Sequence, residues 1–143
     1  MQRVLCCLDA TFISHNYKNV KMFQLHGFRD AIKHPYAAVV YLRMTMDNSI
    51  VVTSLVASKT KVVPLIVRSS KDGITTPWLQ LLACVLLYKL IKTILISLKG
   101  VLDIAIQVYC WTDSMDCIYL ITNTSKGQKR FVQRRVQNVQ IKF

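Results

Sequence analysis

Two aspartates, Asp30 and Asp113, each stand at the end of a largely apolar run that predicts a β-strand. Carboxylates at neighbouring strand ends repel one another unless a cation compensates them, and hard oxygen ligands suit Mg²⁺. Two such ions can activate a water molecule and stabilise the leaving oxygen in phosphodiester hydrolysis. Aspartates after strands are also common turn formers, and Asp113 fits the N-cap of a following helix. The spacing alone leaves both interpretations open.

A glutamine stands in the first turn of an apolar helix that is predicted from Trp78 onward. One stripe of this helix recurs at spacings of three and four, and Gln80 is its only strongly polar member. The stripe consists of Gln80, Cys84, Leu87, Ile91, Ile94 and Leu98. A polar residue at the end of a core-facing stripe is typical of the edge of a site, although a partly exposed glutamine at a helix start gives the same pattern.

Three strands are predicted ahead of this helix and one after it. Apolar, β-branched stretches mark the first three, and short turns such as Asp47-Asn48-Ser49 link them into an antiparallel meander. The predicted strands are Met22–Phe28, Tyr36–Arg43, Ile50–Ala57 and Ile104–Trp111. Two shorter helices are predicted after them, one beginning near residue 112 and one over 131–141. This order of elements predicts an α/β domain with a mixed sheet.

The long helix has one alternative interpretation. The stretch Trp78–Leu98 is apolar and long enough in principle to span a bilayer. Lys89 and Lys92 lie within it, however, and each would cost about 2–3 kcal/mol at the centre of a bilayer. We therefore predict a buried or half-buried helix of a globular domain with no membrane partner, and a membrane anchor is the alternative.

The chain has a strong excess of basic residues. Its 143 residues include 19 Lys and Arg against 7 acids, all of them aspartates, for a formal net charge of +12. Such a balance favours a polyanionic partner, and the lack of glutamate excludes any mechanism that needs one. The candidate phosphate contacts are Lys59, Lys61, Arg68 and Lys71 in a predicted loop, and Lys129, Arg130, Arg134 and Arg135 further on. Solvated surface charge with no specific partner explains these residues equally well.

The cysteines and the first residues bear on location and domain limits. The five cysteines are odd in number and lack the spacing of a metal site, which favours reduced thiols inside a cell. No apolar leader segment begins the chain, so we expect a cytoplasmic or nuclear location rather than secretion. Residues 1–12 are expected to be disordered or poorly defined, and residues 13–143 to form one partial domain.

Seven segments together carry a likeness to one family. They are 25–31 (LHGFRDA), 36–43 (YAAVVYLR), 55–62 (LVASKTKV), 79–83 (LQLLA), 89–93 (KLIKT), 109–114 (YCWTDS) and 131–136 (FVQRRV). In combination, and over about Ile13 to Gln140, they closely resemble the ribonuclease H-like domain of BEL/Pao-type LTR retrotransposon polyproteins. The resemblance implies a ribonuclease H-like α/β fold, a mixed sheet with three antiparallel strands, a helix and a fourth strand parallel to the first. Because the chain stops at Phe143, we expect this fold to be incomplete at its C-terminal end.

The resemblance also implies roles for individual residues. The family's fold uses four carboxylates to hold two metal ions, such as Mg²⁺, which cleave the RNA strand of an RNA–DNA hybrid. Asp30 matches the first carboxylate and Asp113 the third, so these are the expected catalytic and metal-binding residues. The second is a glutamate in a Pro-Arg-Leu-Glu-Leu motif, where this chain has Pro77-Trp78-Leu79-Gln80-Leu81. The fourth belongs to a motif beyond the last residue of this chain.

An amide in place of a carboxylate predicts the loss of catalysis. Gln80 can offer a neutral oxygen to a metal but no negative charge, so metal affinity and the generation of hydroxide should fall sharply. Asp116, shortly after Asp113, is an alternative source of the missing charge. We therefore expect a degenerate ribonuclease H-like domain that is inactive and ancestrally acted on RNA–DNA hybrids. The alternative is a basic nucleic-acid-binding module without catalysis, whose expected phosphate contacts are Lys59, Lys61, Arg134 and Arg135.

Overall fold

The computed structural model describes residues 5–6, 19–64, 75–101, 105–115 and 118. Within these residues it contains a mixed sheet and one long helix. The elements are β1 (Leu5–Cys6), β2 (Val20–Ala31), β3 (Pro35–Met46), β4 (Val51–Val62), α1 (Thr76–Lys99) and β5 (Ile106–Trp111). Their order and types agree with the predicted α/β class.

The three long strands β2, β3 and β4 form an antiparallel meander, which confirms the predicted connections. The turn after β3 is closed by a hydrogen bond from the backbone N–H of Met46 to the carbonyl oxygen of Ile50, at 2.8 Å. Ser49 takes a positive φ of 65° in this turn, a conformation that short polar residues tolerate better than branched ones. Tight turns of this kind fix the register of the strands that they join.

Strand β4 is longer than the sequence pattern predicts. Lys59 and Lys61, which were predicted to lie in a loop, belong to the strand and stand opposite Ala38 and Tyr36 of β3. The prediction was wrong because alternation of apolar residues stops at Ala57, whereas the backbone ladder continues to Val62. Hydrogen bonding to a neighbouring strand does not require apolar side chains.

Strand β5 lies parallel to β2 at one side of the sheet, in the order β1-β4-β3-β2-β5. His26 stands beside Tyr109 and Phe28 beside Trp111 in this parallel pairing. The chain reaches β5 from β4 through α1, because a parallel neighbour needs a crossover connection rather than a tight turn. The predicted mixed sheet, with the last strand parallel to the first long one, is therefore confirmed.

Helix α1 packs across β2 and β3 and closes the core. The inward positions of β2 include Phe23, Leu25 and Gly27, which meet the apolar stripe of the helix. The stripe residues from Cys84 to Leu98 are buried, as the spacing predicts. Gly27 allows the closest approach, because a Cβ at this position would lie 2.7 Å from Cδ1 of Leu87 and 2.9 Å from Cδ1 of Ile91.

The same helix is long and apolar enough to cross a membrane by length and composition. Its most apolar window is 56% buried inside the protein, and its buried face packs on the sheet. Lys89 and Lys92 are both exposed on the other side. This arrangement is that of a core helix, because the apolar stripe is already covered by β2 and β3.

Several predictions from the sequence lie outside the described residues. Among them are the helix predicted over 131–141, the helix predicted near residue 112 apart from residues 112–115 and 118, and the ends of the chain apart from Leu5–Cys6. That short strand pairs with β4 through Leu5 and Ser58, inside the segment that was expected to be poorly defined. Predicted site residues outside the described range are Arg68, Lys71, Asp116, Lys129, Arg130, Arg134 and Arg135.

Replacing Gly27 by valine is expected to lower the free energy of unfolding by about 1–3 kcal/mol, because the new methyl groups would push Leu87 and Ile91 off a packed position. Urea unfolding followed by circular dichroism measures the change. Gly100→Ala is the matched control, since its Cβ would meet only the carbonyl oxygen of Ser97, at 3.6 Å. Equal midpoints for the two variants would contradict the close approach of α1 to β2.

Candidate functional site

The two candidate aspartates lie at the same end of neighbouring parallel strands. Asp30 is the penultimate residue of β2 rather than the residue after it, and Asp113 follows β5 by two positions. Because Phe28 stands beside Trp111, each aspartate lies two residues beyond a paired position. The sheet therefore brings the two backbones to equivalent places on adjacent strands, as the sequence predicts.

The side chains of the two aspartates line different depressions. Asp113 lies in a bend and lines a cleft of about 380 Å³ at the start of α1, together with Gln80 and Ser114. Asp30 is exposed and lines a separate groove of about 180 Å³ with Ser58 and Thr60. Since Arg29 is buried on the helix side, strand alternation turns Asp30 to the opposite face. The cleft thus joins two of the three predicted catalytic positions and leaves Asp30 outside.

The cleft is bounded by the first turn of α1. Thr75 is the N-cap by its extended backbone conformation, and Pro77 occupies the start of the helix, where its missing N–H costs nothing. The backbone N–H of Leu79 donates to the carbonyl oxygen of Thr75 at 3.1 Å. Gln80 is half-buried one turn into the helix, so the position predicted for a catalytic group does face a cleft rather than the core.

A buried arginine occupies the junction between these elements. The side chain of Arg29 is only 7% exposed. Its Nη1 donates to the carbonyl oxygen of Gln80 at 3.4 Å, and its Nη2 donates to Oγ1 of Thr112. The same Thr112 oxygen accepts the backbone N–H of Ser114 at 3.1 Å, which holds the bend that contains Asp113. A single guanidinium therefore ties β2 to the start of α1 and to the end of β5.

Sequence analysis missed Arg29, although a signal for it was present. Phe23, Leu25 and Gly27 alternate along the inward side of β2, and the next inward position is Arg29. A charged residue at such a position is either a strand end in solvent or a buried group with specific partners. Its partners Gln80 and Thr112 lie 51 and 83 residues away, so the sequence does not identify them.

The described residues do not fit a pair of divalent metal ions. No group of three His, Cys, Asp or Glu side chains comes together within the described part of the chain. Asp113 and Asp30 line separate depressions, and Gln80 supplies an uncharged amide. Mg²⁺ requires near-octahedral oxygen ligands and is held in proteins chiefly by carboxylates. Two aspartates apart from each other do not form that ligand set.

The opposite face of the sheet carries a set of stacked aromatic rings. The ring of His26 stacks on Tyr109 and Trp111 with centroids 5.0 and 6.1 Å away, and Phe28 stacks on Trp111 at 6.3 Å. These contacts join β2 to β5 above the backbone ladder, with a stabilisation of about 0.5–1.5 kcal/mol for each pair. Phe28, Tyr109 and Trp111 remain exposed, so this face is open in the described structure.

Polar groups around His26 fix its neutral form. The indole Nε1–H of Trp111 can only donate, and it points at Nδ1 of His26 at 3.1 Å. The ring nitrogen Nδ1 therefore accepts, which places the proton on Nε2, 3.4 Å from Oε1 of Gln24. The same Gln24 oxygen accepts from Nη1 of Arg43 at 2.7 Å. Loss of solvent and then the positive charge of Arg43 lower the pKa of His26.

The two described lysines of the predicted phosphate-binding set lie away from the aromatic face. Lys59 stands opposite Ala38, an inward residue that is 2% exposed, so strand alternation places Lys59 and Lys61 on the helix side of the sheet. Both are half-exposed at the end of β4. They lie at the same end of the sheet as Asp30, because Ala37 pairs with both Asp30 and Thr60.

Most of the chain matches a family model. Residues 10–114 match the model described as the Pao retrotransposon-like RNaseH-like domain. The matched range contains Asp30, Gln80 and Asp113 as well as the strands β2 to β5 and α1. No curated protein and no solved structure gives a significant match.

An NMR titration of His26 is expected to give a midpoint below the usual pKa of 6.5, because loss of solvent and then the positive charge of Arg43 disfavour the protonated ring. Protonation of Nδ1 would also place two donors against each other. Between pH 6.5 and the lowered pKa of the folded state, His26 is protonated in the unfolded chain but not in the folded one. Protonation therefore favours unfolding, and the contribution of His26 to stability is lost as the pH falls through this range. Trp111→Phe should raise the pKa of His26, since it keeps a ring but removes the N–H.

The control for this titration is Tyr109→Phe, which keeps the stacked ring and removes a hydroxyl that donates to Gln107 instead. It should leave the pKa of His26 nearly unchanged. A midpoint at or above 6.5 in the unmodified chain would refute the neutral assignment.

Proposed function

Because the chain belongs to the Pao retrotransposon RNaseH-like domain family, we propose that it is a degenerate member that no longer hydrolyses the RNA strand of an RNA–DNA hybrid. Ribonuclease H-like domains are ancestrally metal-dependent, so the capacity to hold divalent ions decides whether hydrolysis survives. The observation that carries the proposal is the amide of Gln80 in the cleft beside Asp113, at the family's second acid position.

The loss of charge at Gln80 acts on the two functions of the metal ions. A bound divalent ion lowers the pKa of water and neutralises charge that develops on the leaving oxygen. Both functions depend on anionic ligands that hold the ion firmly in one place. An amide oxygen gives only a dipole, and Asp30 lines a different depression from Asp113. The chain retains the scaffold of the site but lacks the charge that would hold the ions.

Binding of nucleic acid without cleavage is the second candidate function. The formal charge of +12 favours a polyanionic partner, and Lys59 and Lys61 lie at the same end of the sheet as the candidate site. Phosphate binding by lysine requires only a positive charge near the backbone of the nucleic acid, and it survives the loss of catalytic groups. The two proposals are compatible, because an inactive domain can keep the surface that once bound its substrate.

The purified chain is expected to leave an RNA–DNA hybrid intact in the presence of Mg²⁺ or Mn²⁺. A fluorescent hybrid resolved on a denaturing gel measures cleavage. Asp30→Asn and Asp113→Asn controls distinguish this chain from a contaminating nuclease, since contamination would be unaffected by either change. Cleavage that disappears in one of these variants would overturn the proposed loss of hydrolysis.

Affinity for the hybrid is expected to fall linearly in a plot of log affinity against log salt. Each phosphate contact contributes roughly 0.9 to the slope, so replacing both Lys59 and Lys61 by alanine should reduce its magnitude by about 2. Lys21→Ala with Lys99→Ala is the matched control, because both residues are exposed near the opposite end of the sheet. Fluorescence anisotropy measures both. Equal slopes in the two double variants would show that Lys59 and Lys61 do not contact the phosphates of the nucleic acid.

A further inference from the structure

The candidate site contains a positive charge that belongs to the chain itself. We propose that the guanidinium of Arg29 replaces the metal ions as the cation at the junction of β2, β5 and α1, and that its charge keeps divalent cations out of the site. This inference rests on the proposed loss of hydrolysis and gives it a second cause, independent of Gln80. It assigns a role to a residue that the sequence pattern did not single out.

The position of Arg29 supports this assignment. It precedes Asp30 in β2, and its two hydrogen-bond acceptors belong to Gln80 and to Thr112, the residue before Asp113. The guanidinium therefore contacts the backbone of Gln80 and the side chain of the residue before Asp113, on the face of the sheet opposite to the side chain of Asp30. With an exposed fraction of only 7%, its charge is poorly screened by water.

Within the described part of the chain, the hydrogen-bond partners of Arg29 do not neutralise its charge. Both acceptors are neutral oxygens, a backbone carbonyl and a hydroxyl. Its Nε has no hydrogen-bond partner in the described part of the chain. A buried cation with neutral partners keeps an electrostatic field that a carboxylate partner would cancel. That field acts on any second cation that approaches Asp113 in the cleft.

The net formal charge of the cleft is unfavourable for divalent cations. In the cleft, Gln80 and Asp113 together carry −1, and the buried guanidinium of Arg29 beside them brings the sum to 0, whereas Asp30 lines a separate groove. One divalent ion would then leave the cleft at +2. Restoring an acid at residue 80 brings the sum only to −1, so Gln80→Glu alone should not restore tight binding.

The test is a Mn²⁺ titration of the full chain in four variants. The first is Gln80→Glu alone, and the others combine it with Arg29→Met, Arg29→Lys or Arg43→Met. Electron paramagnetic resonance of free Mn²⁺ gives the affinity, and broadening of backbone NMR signals at Asp30 and Asp113 locates the ion. Arg43→Met is the matched control, because Arg43 is a half-buried arginine that contacts Gln24 on the other face.

Arg29→Met in the Gln80→Glu background is expected to tighten Mn²⁺ binding by at least about tenfold, in the range that neighbours of metal ligands produce. Arg29→Lys keeps the charge and should leave the affinity within about twofold, as should Arg43→Met. Equal affinities for Arg29→Met and the Gln80→Glu parent would overturn the proposal. So would tightening by Arg29→Lys as large as that by Arg29→Met, because shape rather than charge would then be responsible.

Two further measurements keep the test decisive. Circular dichroism checks that each variant folds, and Arg29→Gln, which keeps a donor for Thr112, replaces Arg29→Met if the latter does not. Broadening at both Asp30 and Asp113 by submillimolar Mn²⁺ in the unmodified chain would overturn the exclusion of cations directly. An inactive chain in which the Arg29 variants bind no better would overturn only the role of Arg29, whereas cleavage by the unmodified chain would overturn the proposed function.

Discussion

The parallel pairing of β5 with β2, held from one side by α1, determines where every candidate functional group lies. Parallel neighbours end at the same edge of a sheet, so the register of Phe28 beside Trp111 brings the segments of Asp30 and Asp113 together. The helix can cross β2 closely only because Gly27 has no side chain, and this crossing delivers the first turn of α1 to the same edge. The pairing of β5 with β2 and the close packing of α1 on β2 therefore determine the position of the site, and the polar contacts within it do not.

On the proposal that hydrolysis is lost, the electrostatics at that edge are rearranged rather than simply removed. A two-metal site needs concentrated negative charge that divalent ions neutralise. Here Gln80 is uncharged, and a cation that belongs to the chain, Arg29, donates hydrogen bonds to the segments around the cleft. Such a contact needs no metal from solution and stays in place whenever the sheet is formed. The retained scaffold and the changed charge are therefore compatible with each other.

The two faces of the sheet have different roles, because one packs against α1 and the other is exposed. One face is covered by α1 and contains the core, together with Arg29 and the two lysines of β4. The other carries stacked rings and a hydrogen-bonded set around His26, in which Gln24 joins Arg43 to Gln107. Because side chains alternate along a strand, residues one position apart belong to different surfaces. Arg29 and Asp30 show this most directly.

The sequence by itself determined the four longer strands, the long helix and their order, because alternation along strands and the three-and-four spacing of α1 are local patterns. Through the family resemblance it also placed Asp30 and Asp113 at the ends of neighbouring strands and Gln80 near the start of the helix between them. It missed β1, and it failed for the end of β4, where hydrogen bonding extends the strand beyond the apolar pattern. Only the tertiary structure decided which depression each side chain faces and that Arg29 bonds to Gln80 and Thr112. Those outcomes depend on the bend after β5 and on the hydrogen bonds of Arg29, whose partners are 51 and 83 residues away in the sequence. Local residue spacing carries no information about contacts at such separations.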